Sequence, residues 1–195
     1  MTPFNKYSIS YKERGIWEQW HNMTFEDYTD KFYRDEVQKF CADEVTKNII
    51  LYGANGTGKT MLMNLAMKEM FHKGFEVYVI DFRHLIKEYI KSWRDQETKI
   101  SRLLTVDYLA IDDLGKEFKS EGISAELANA TIDYVLRYRS QRNKSTWLTF
   151  NMSLTEIKAT YNIHVASLLK RSSIALEFSS VDYGDSQFKK ITKKK

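Results

Sequence analysis

Gly53-Ala54-Asn55-Gly56-Thr57-Gly58-Lys59-Thr60 fits the pattern GxxxxGK[ST]. An apolar run precedes it and a helical pattern follows it, and that context separates a phosphate-binding loop from a chance glycine turn. Its glycines let backbone N–H groups face phosphates, and the N-terminus of the next helix attracts the same charge. We therefore expect these eight residues to bind a nucleotide, with Lys59 at the β- and γ-phosphates and the Thr60 hydroxyl on Mg²⁺.

Short apolar runs alternate with helical patterns on both sides of this loop. They predict five strands, at residues 48–52, 76–81, 108–112, 146–150 and 174–178. Helices are expected between the strands, notably over 59–72 and from about 124 to 141. Apolar strands separated by helices predict an α/β fold, with a parallel sheet covered on both faces.

Two aspartates, Asp112 and Asp113, stand at the end of the third predicted strand. After a phosphate-binding loop, such a pair predicts Asp112 as a Mg²⁺ ligand, directly or through water. Asp113 is then expected to orient and deprotonate the attacking water. Asp81 also ends an apolar run, where capping the helix that begins at Phe82 is its expected role and metal binding is the alternative.

Asn151 ends the fourth predicted strand. If that strand lies between the strand of the phosphate loop and the strand of the two aspartates, Asn151 faces the γ-phosphate or the attacking water. The alternative is that Asn151 caps the helix beginning near Leu154, a role that Ser153 can also fill. The residues alone leave both interpretations open.

The composition is typical of a soluble globular domain, since 43% of the 195 residues are apolar and 29% are charged. We find no apolar run of about 18 residues, so no membrane span is expected, and a cytoplasmic location follows. The single cysteine, Cys41, is predicted to be a core residue in a reducing compartment. The lysine-rich end accounts for the net charge of +4, because the rest of the chain is about neutral; this end either binds phosphates or is simply solvated.

Aromatic residues are frequent before residue 45. Their helical spacings predict packing onto the core, with a platform for stacking bases as the alternative. A basic helix end at Arg137, Arg139, Arg142 and Lys144 is either a solvated helix terminus or part of a DNA path.

These motifs, in this order, resemble the AAA+ ATPase domain of the DnaC/DnaI helicase loaders and of the related IstB transposition ATPases. The resemblance covers about residues 22–183 and includes Phe25 and Tyr28 of an F-x-x-Y segment, with Asn151 at the sensor-1 position. It implies an AAA+ P-loop NTPase with a five-stranded parallel sheet flanked by helices, and ATP and Mg²⁺ as cofactors. The implied organisation is an aromatic segment at 1–21, the ATPase domain at 22–183 and a basic tail at 184–195.

The same resemblance implies a role in DNA replication. Such proteins use ATP to place a replicative hexameric DNA helicase on single-stranded DNA, and they assemble so that one subunit completes the next subunit's site. We therefore expect a homo-oligomer when ATP is bound. With no room for a separate N-terminal domain, residues 3–21 or the ATPase surface are expected to contact the helicase, and a phage or mobile element is the expected source.

Two positions depart from the family pattern. The expected Ser-Arg-Leu of the arginine finger reads Ser167-Leu168-Leu169, so Arg171 is expected to take that role, with Arg137 as the alternative. Gly184 stands where the family usually has the sensor-2 arginine, so intrinsic hydrolysis is expected to be slow.

Three other functions are compatible with these motifs. The first is an ATP-binding interaction protein that captures or inhibits a host helicase or loader. The second is an IstB-like helper ATPase for transposition, and the third is a small-molecule P-loop kinase.

Overall fold

The computed structural model describes residues 7–94, 99–115 and 124–179. Five parallel strands form one sheet in the order β2-β3-β4-β1-β5. The strands are β1 (Asn48–Gly53), β2 (Val77–Asp81), β3 (Tyr108–Leu114), β4 (Ser145–Phe150) and β5 (Ser173–Phe178). All five predicted strands are confirmed, and β4 lies between β1 and β3, as the site interpretation of Asn151 requires.

Eight α-helices accompany the sheet in the described part of the chain. They are α1 (Ser8–Glu13), α2 (Lys31–Ala42), α3 (Lys59–His72), α4 (Phe82–Ser92), α5 (Lys99–Thr105), α6 (Ala125–Ser140), α7 (Leu154–Thr160) and α8 (Ile163–Ser172). Short 3-10 helices at Glu18–Trp20 and Phe25–Asp27 precede α2. The predicted helix over 59–72 is confirmed, and Ser124 caps α6 one residue before it begins.

The central strands place alternate side chains on opposite faces of the sheet. In β1, Ile49 and Leu51 pack with the core of α2 and α3, while Ile50 and Tyr52 pack with the core of α4 to α8. Both faces of the sheet are therefore covered, as the continuous apolar strands predict.

The N-terminal aromatic residues belong mainly to the core beside α3, where Tyr11, Phe25, Tyr28 and Tyr33 are buried. Core packing is thus confirmed as the main role of this segment. Before α2, the carbonyl of Arg14 accepts a hydrogen bond from Val79 N at 2.8 Å and so covers the outer edge of β2. Cys41 is a buried core residue, as predicted.

Arg139 lies inside the protein, although the sequence places it in the basic end of α6. Its buried guanidinium donates to the carbonyls of Leu103, Leu104, Val106, Asp107 and Ser145 and to the Thr146 hydroxyl. Burial lowers the pKa of Arg139 to about 9, so the group is charged at neutral pH. The interpretation of this basic helix end as an exposed DNA path is therefore wrong for Arg139.

Two of the sequence predictions fall outside the described residues: the sensor-2-like segment at 181–184 and the basic tail at 184–195. Within the described ranges, no helix has the length and apolar character needed to cross a membrane.

Candidate active site

The phosphate loop joins β1 to α3 with a backbone that only glycine adopts easily. Gly53 has a φ of 128° and Gly58 a φ of 84°. A Cβ atom on Gly53 would lie 2.2 Å from the carbonyl oxygen of Phe178, and one on Gly58 would lie 2.6 Å from the ring of Tyr28. The Tyr28 hydroxyl donates to the Thr57 carbonyl at 2.8 Å, so Tyr28 supports the loop from the N-terminal side.

Lys59 is the first residue of α3, and its ammonium group lies within the loop. Its Nζ donates to the carbonyl of Gly53 and to the hydroxyl of Thr57, each at 3.1 Å, and also to the carbonyl of Ala54 at 2.5 Å. The side chain is buried. The loop therefore holds this cation at the place where its own N–H groups would receive phosphate oxygens.

Asp112 and Thr60 are brought together by β3 and α3. The Thr60 hydroxyl donates to Asp112 Oδ1 at 3.0 Å, and the Thr149 hydroxyl donates to the same oxygen at 2.5 Å. Burial raises the pKa of Asp112, the two hydroxyl hydrogen bonds lower it, and the nearby charges of Asp113 and Asp81 raise it further; the net shift is upward.

This pair suits a magnesium ion by donor type and by spacing. Mg²⁺ prefers oxygen ligands at about 2.0–2.1 Å in an octahedron, which puts adjacent ligands about 2.9 Å apart. The two oxygens of Thr60 and Asp112 are 3.0 Å apart. The residues present therefore fit the metal that the sequence predicts.

Asp113 has a backbone conformation that is unusual for a residue with a side chain, with a φ of 66°. The register of β3 and β4 shifts between Ile111 and Leu114, and such a bulge changes the direction of a side chain. Asn151 Nδ2 donates to Asp113 Oδ1 at 2.6 Å. Strained backbone of this kind is often found at functional sites.

The start of α7 decides between capping and a site role as interpretations of Asn151. Ser153 is the N-cap of that helix, and it forms a reciprocal capping box with Glu156. The capping interpretation of Asn151 is therefore wrong, and its amide is available to Asp113. Asp81 has the role expected of it, since its carboxylate caps α4 by accepting from the backbone of Arg83 and His84.

Thr149 is a site residue that the sequence analysis missed. Its hydroxyl accepts from the backbone N–H of Asp113 at 2.8 Å and donates to the carboxylate of Asp112. The available signal was a hydroxyl residue in a fully buried strand, two positions before Asn151. Thr149 thus fixes both aspartates from the neighbouring strand.

Arg171 lies far from the residues gathered around the loop. It is in the last turn of α8, two residues before the start of β5, whereas the loop lies at the last residue of β5, where Gly53 pairs with Phe178. Five steps of about 3.3 Å along β5 separate the two ends. The alternative candidate, Arg137, is exposed and forms an ion pair with Asp133 at 2.8 Å.

A cavity of about 400 Å³ opens beside the loop, within the range of about 300–1,000 Å³ usual for small-molecule sites. Loop residues 56–61 and Asn151 line one side of it. The segment before α2 lines the other side with Trp20, Met23, Asp27, Tyr28 and Thr29.

The sequence model of the IstB-like ATP binding protein family matches residues 20–171, a range that contains the loop, both aspartates and Asn151. The chain belongs to this family. The predicted resemblance is thereby confirmed, and membership of this family supports ATP as the nucleotide of the site.

A curated relative of this IstB-like chain is the replicative helicase loader DnaI of Bacillus subtilis (strain 168). The two are 28% identical over 114 residues, which cover 57% of this chain and 35% of DnaI. The match therefore spans about a third of that relative's length.

Solved structures confirm the predicted AAA+ P-loop NTPase fold. The DnaC helicase loader has a TM-score of 0.71 and 24% identity, covering 84% of this chain and 100% of that one. AMPPCP-bound DnaA from Aquifex aeolicus has a TM-score of 0.67 and 17% identity, covering 89% of this chain and 55% of that one.

Proposed function

We propose that this protein is an ATPase that loads or remodels a replicative hexameric DNA helicase on single-stranded DNA. The observation that carries the proposal is the meeting of Lys59, Thr60, Asp112, Asp113 and Asn151 at the carboxyl edge of one parallel sheet. In P-loop NTPases these residue types bind the phosphates, hold the metal and position water. The similarity to the replicative helicase loader DnaI is the reason for proposing a replicative helicase as the partner.

ATP would lie with its phosphates in the loop and its base in the cavity beside Trp20 and Met23. The indole Nε1 of Trp20 supports this placement, because it is buried and has no hydrogen-bond partner among the described residues. Buried donors are nearly always satisfied, and a ring nitrogen or a ribose oxygen of the nucleotide would satisfy this one.

Thr60 and Asp112 would hold Mg²⁺, which neutralises charge on the phosphates when it is bound. Lys59 would stabilise the charge that develops on the transferred phosphoryl group. Asp113, held by Asn151, would orient a water molecule in line with the γ-phosphate and accept its proton. Asn151 and Thr149 fix the direction of this carboxylate before a substrate arrives.

Arg171 would act only between subunits. It lies at the end of β5 opposite to the chain's own phosphate loop, so it would reach a phosphate only in a neighbouring subunit of a homo-oligomer. Leu168, at the family's usual arginine position, packs partly buried against the core and has no charge to contribute. This arrangement would account for the slow hydrolysis that the sequence predicts for the isolated subunit.

Single-stranded DNA would contact the outer surface of α4, α5 and α6. The ring centroids of Trp93 and Tyr89, and those of Tyr89 and Tyr134, are 5.4 Å apart, and the row continues to Tyr138, where Arg142 stacks. Aromatic rows beside cations suit stacked bases and phosphates. Exposed basic side chains of α4, α5 and the turn after α4 stand at positions 83, 87, 91, 94, 99 and 102.

Fluorescence tests this DNA surface. We expect oligothymidine to quench the fluorescence of Trp93, the quenching to be absent in Trp93→Phe, and added salt to weaken it.

Light scattering tests the helicase partnership. The mass of a mixture with the cognate hexameric helicase is measured with and without ATP and Mg²⁺, using Lys59→Ala as the nucleotide-deficient control. A complex that depends on ATP supports the proposal. If no complex forms in either condition and DNA stimulates hydrolysis, the transposition-helper function replaces it, and stimulation by a nucleoside acceptor would instead indicate a kinase.

A further inference from the structure

Three polar residues, spaced one helical turn apart, run along α3 behind the phosphate loop: Asn64, Lys68 and His72. They continue the row that begins with Thr60, since Asn64 Nδ2 donates to the Thr60 carbonyl at 2.8 Å. Residues spaced by four lie on the same face of a helix. The row therefore extends from the metal-binding position along the outer face of α3.

Each of these residues contacts residues 7–23, which we call the N-terminal strap. Asn64 Oδ1 accepts from the backbone N–H of Trp17 at 3.2 Å, and His72 Nε2 is 2.6 Å from the hydroxyl of Tyr11. Lys68 makes the largest set of contacts. One face of the phosphate-loop helix thus fixes the course of the strap.

The Lys68 ammonium is enclosed by backbone carbonyls of the strap. Its Nζ donates to Trp20 O at 2.9 Å, to His21 O at 3.0 Å and to Met23 O. An ammonium has three donors, so all of them are used by the strap and none is left for a ligand. Burial lowers the pKa of Lys68, and the nearby charge of Asp27 opposes this shift.

The carbonyls held by Lys68 belong to residues whose side chains form the nucleotide cavity. Trp20 and Met23 both line that cavity, and Trp20 contributes the buried indole N–H that has no partner among the described residues. Lys68 itself does not line the cavity. Its position is therefore suited to holding the cavity wall and unsuited to touching the nucleotide.

We propose that Lys68 is a positioning residue that fixes the wall of the cavity against the nucleotide base and thereby sets the preference for ATP over base-free polyphosphate. This inference rests on the proposed function, in which the base lies beside Trp20 and Met23. Without Lys68 the strap carbonyls lose their shared donor, and Trp20 is no longer held in one place. The phosphate loop keeps its own contacts, since Lys59 and Tyr28 hold it independently.

A matched control lies on the same side of the protein. Lys73, just after α3, donates through Nζ to the carbonyl of Cys41 at 2.7 Å and so joins this helix to α2. It is also a lysine bonded to backbone, but its partner Cys41 lies outside the strap and does not line the nucleotide cavity. Lys73→Met thus reproduces the loss of a lysine-to-carbonyl contact without disturbing the strap.

The test compares the dissociation constants of ATP and inorganic tripolyphosphate, each with Mg²⁺, by calorimetry on the full chain. We expect Lys68→Met to weaken ATP binding about tenfold, the scale of lost aromatic contact with a base, and to change tripolyphosphate binding less than twofold. Lys73→Met is expected to preserve the wild-type ratio. If Lys68→Met does not fold, Lys68→Gln, which keeps two donors, is measured in its place and should raise the ratio of the ATP to the tripolyphosphate dissociation constant in the same way.

A double-mutant cycle with Trp20→Ala separates positioning from a general loss of stability. If Lys68 acts through Trp20, then Lys68→Met should change the ATP-to-tripolyphosphate ratio little when Trp20 is already alanine. Equal weakening of both ligands by Lys68→Met, or an unchanged ATP affinity, would overturn the inference while leaving the ATPase proposal standing. A wild-type protein that binds neither ligand would instead overturn the proposed function, and the inference with it.

Discussion

Asparagine in place of Asp112 is expected to stabilise the nucleotide-free protein and to abolish its stabilisation by MgATP. The carboxylate is 2% exposed, and no ion pair among the described residues includes it. Asparagine keeps an oxygen that can accept from Thr60 and Thr149 and removes the buried charge. The substitution should therefore relieve a cost that the wild-type protein bears for its metal site.

The direction of this change in stability follows from the pKa of Asp112, which burial raises above its ordinary value of 3.8. A carboxyl with a raised pKa in the folded state binds more protons there than in the unfolded state, so its ionisation lowers stability as the pH rises through the folded pKa. The advantage of Asp112→Asn should thus be full at pH 7 and should shrink as the pH falls toward 3.8. We expect about 1 kcal/mol, or a rise of about 2–4 °C in Tm for a chain of this size.

Thermal unfolding at pH 7, with and without MgATP, measures both effects. At an ATP concentration of one hundred times its Kd, the wild-type protein should gain about 2.7 kcal/mol and become the more stable of the two.

Asp107→Asn is a control variant whose stability should change in the opposite direction. Burial alone would raise the pKa of Asp107, but hydrogen bonds from Lys144 and from the Glu76 backbone outweigh it and lower that pKa, so this variant should melt lower at pH 7. A melting temperature of Asp112→Asn at or below that of the wild type without nucleotide, or stabilisation of this variant by MgATP, would refute the role given to Asp112.

Four further substitutions have distinct expected results. Arg139→Met should cost at least about 3 kcal/mol in urea unfolding, because it leaves several buried carbonyls without a donor; a loss below 1 kcal/mol would contradict this role. Gly58→Ala should weaken ATP binding at least about tenfold by calorimetry, since its Cβ meets the Tyr28 ring and its φ is left-handed; wild-type affinity would show that the loop tolerates the change. Asn151→Ala should leave the ATP Kd near that of the wild type while slowing hydrolysis about 10²-fold, and equal losses in both would argue against a role in positioning Asp113. Arg171→Ala should remove only the part of the ATPase rate that rises with protein concentration, whereas a lower rate in dilute protein would place its action within one subunit.

The sheet could be predicted from the sequence because its signals are local. Each strand is a short apolar run, and the helix after the loop is marked by its own periodicity from Lys59 to His72. The loop pattern places Lys59 and Thr60 at fixed positions relative to the strand before them. Since parallel strands end at one edge, the polar residues at the ends of β3 and β4 had to meet there.

The contacts that hold this site in place could not be predicted, because each joins residues far apart in the chain. Thr149 reaches Asp112 across a strand pair, and the bulge that turns Asp113 is not marked by a glycine. From the sequence alone, Lys68 would be taken for an exposed helix residue, because the strap that covers it lies more than 40 residues away in the chain. Arg139 reads as part of a basic helix end, yet carbonyls from around β3 and β4 enclose it.

The most direct test of the central claim is ATP-dependent loading of the cognate replicative helicase onto closed circular single-stranded DNA. The helicase retained on the circle is measured with the wild-type protein, with Lys59→Ala and with no added protein. We expect the wild-type protein to raise the retained helicase severalfold when ATP and Mg²⁺ are present, and Lys59→Ala to give the level seen without protein. Retention that the wild-type protein leaves unchanged, or lowers as an inhibitor would, contradicts the proposed function.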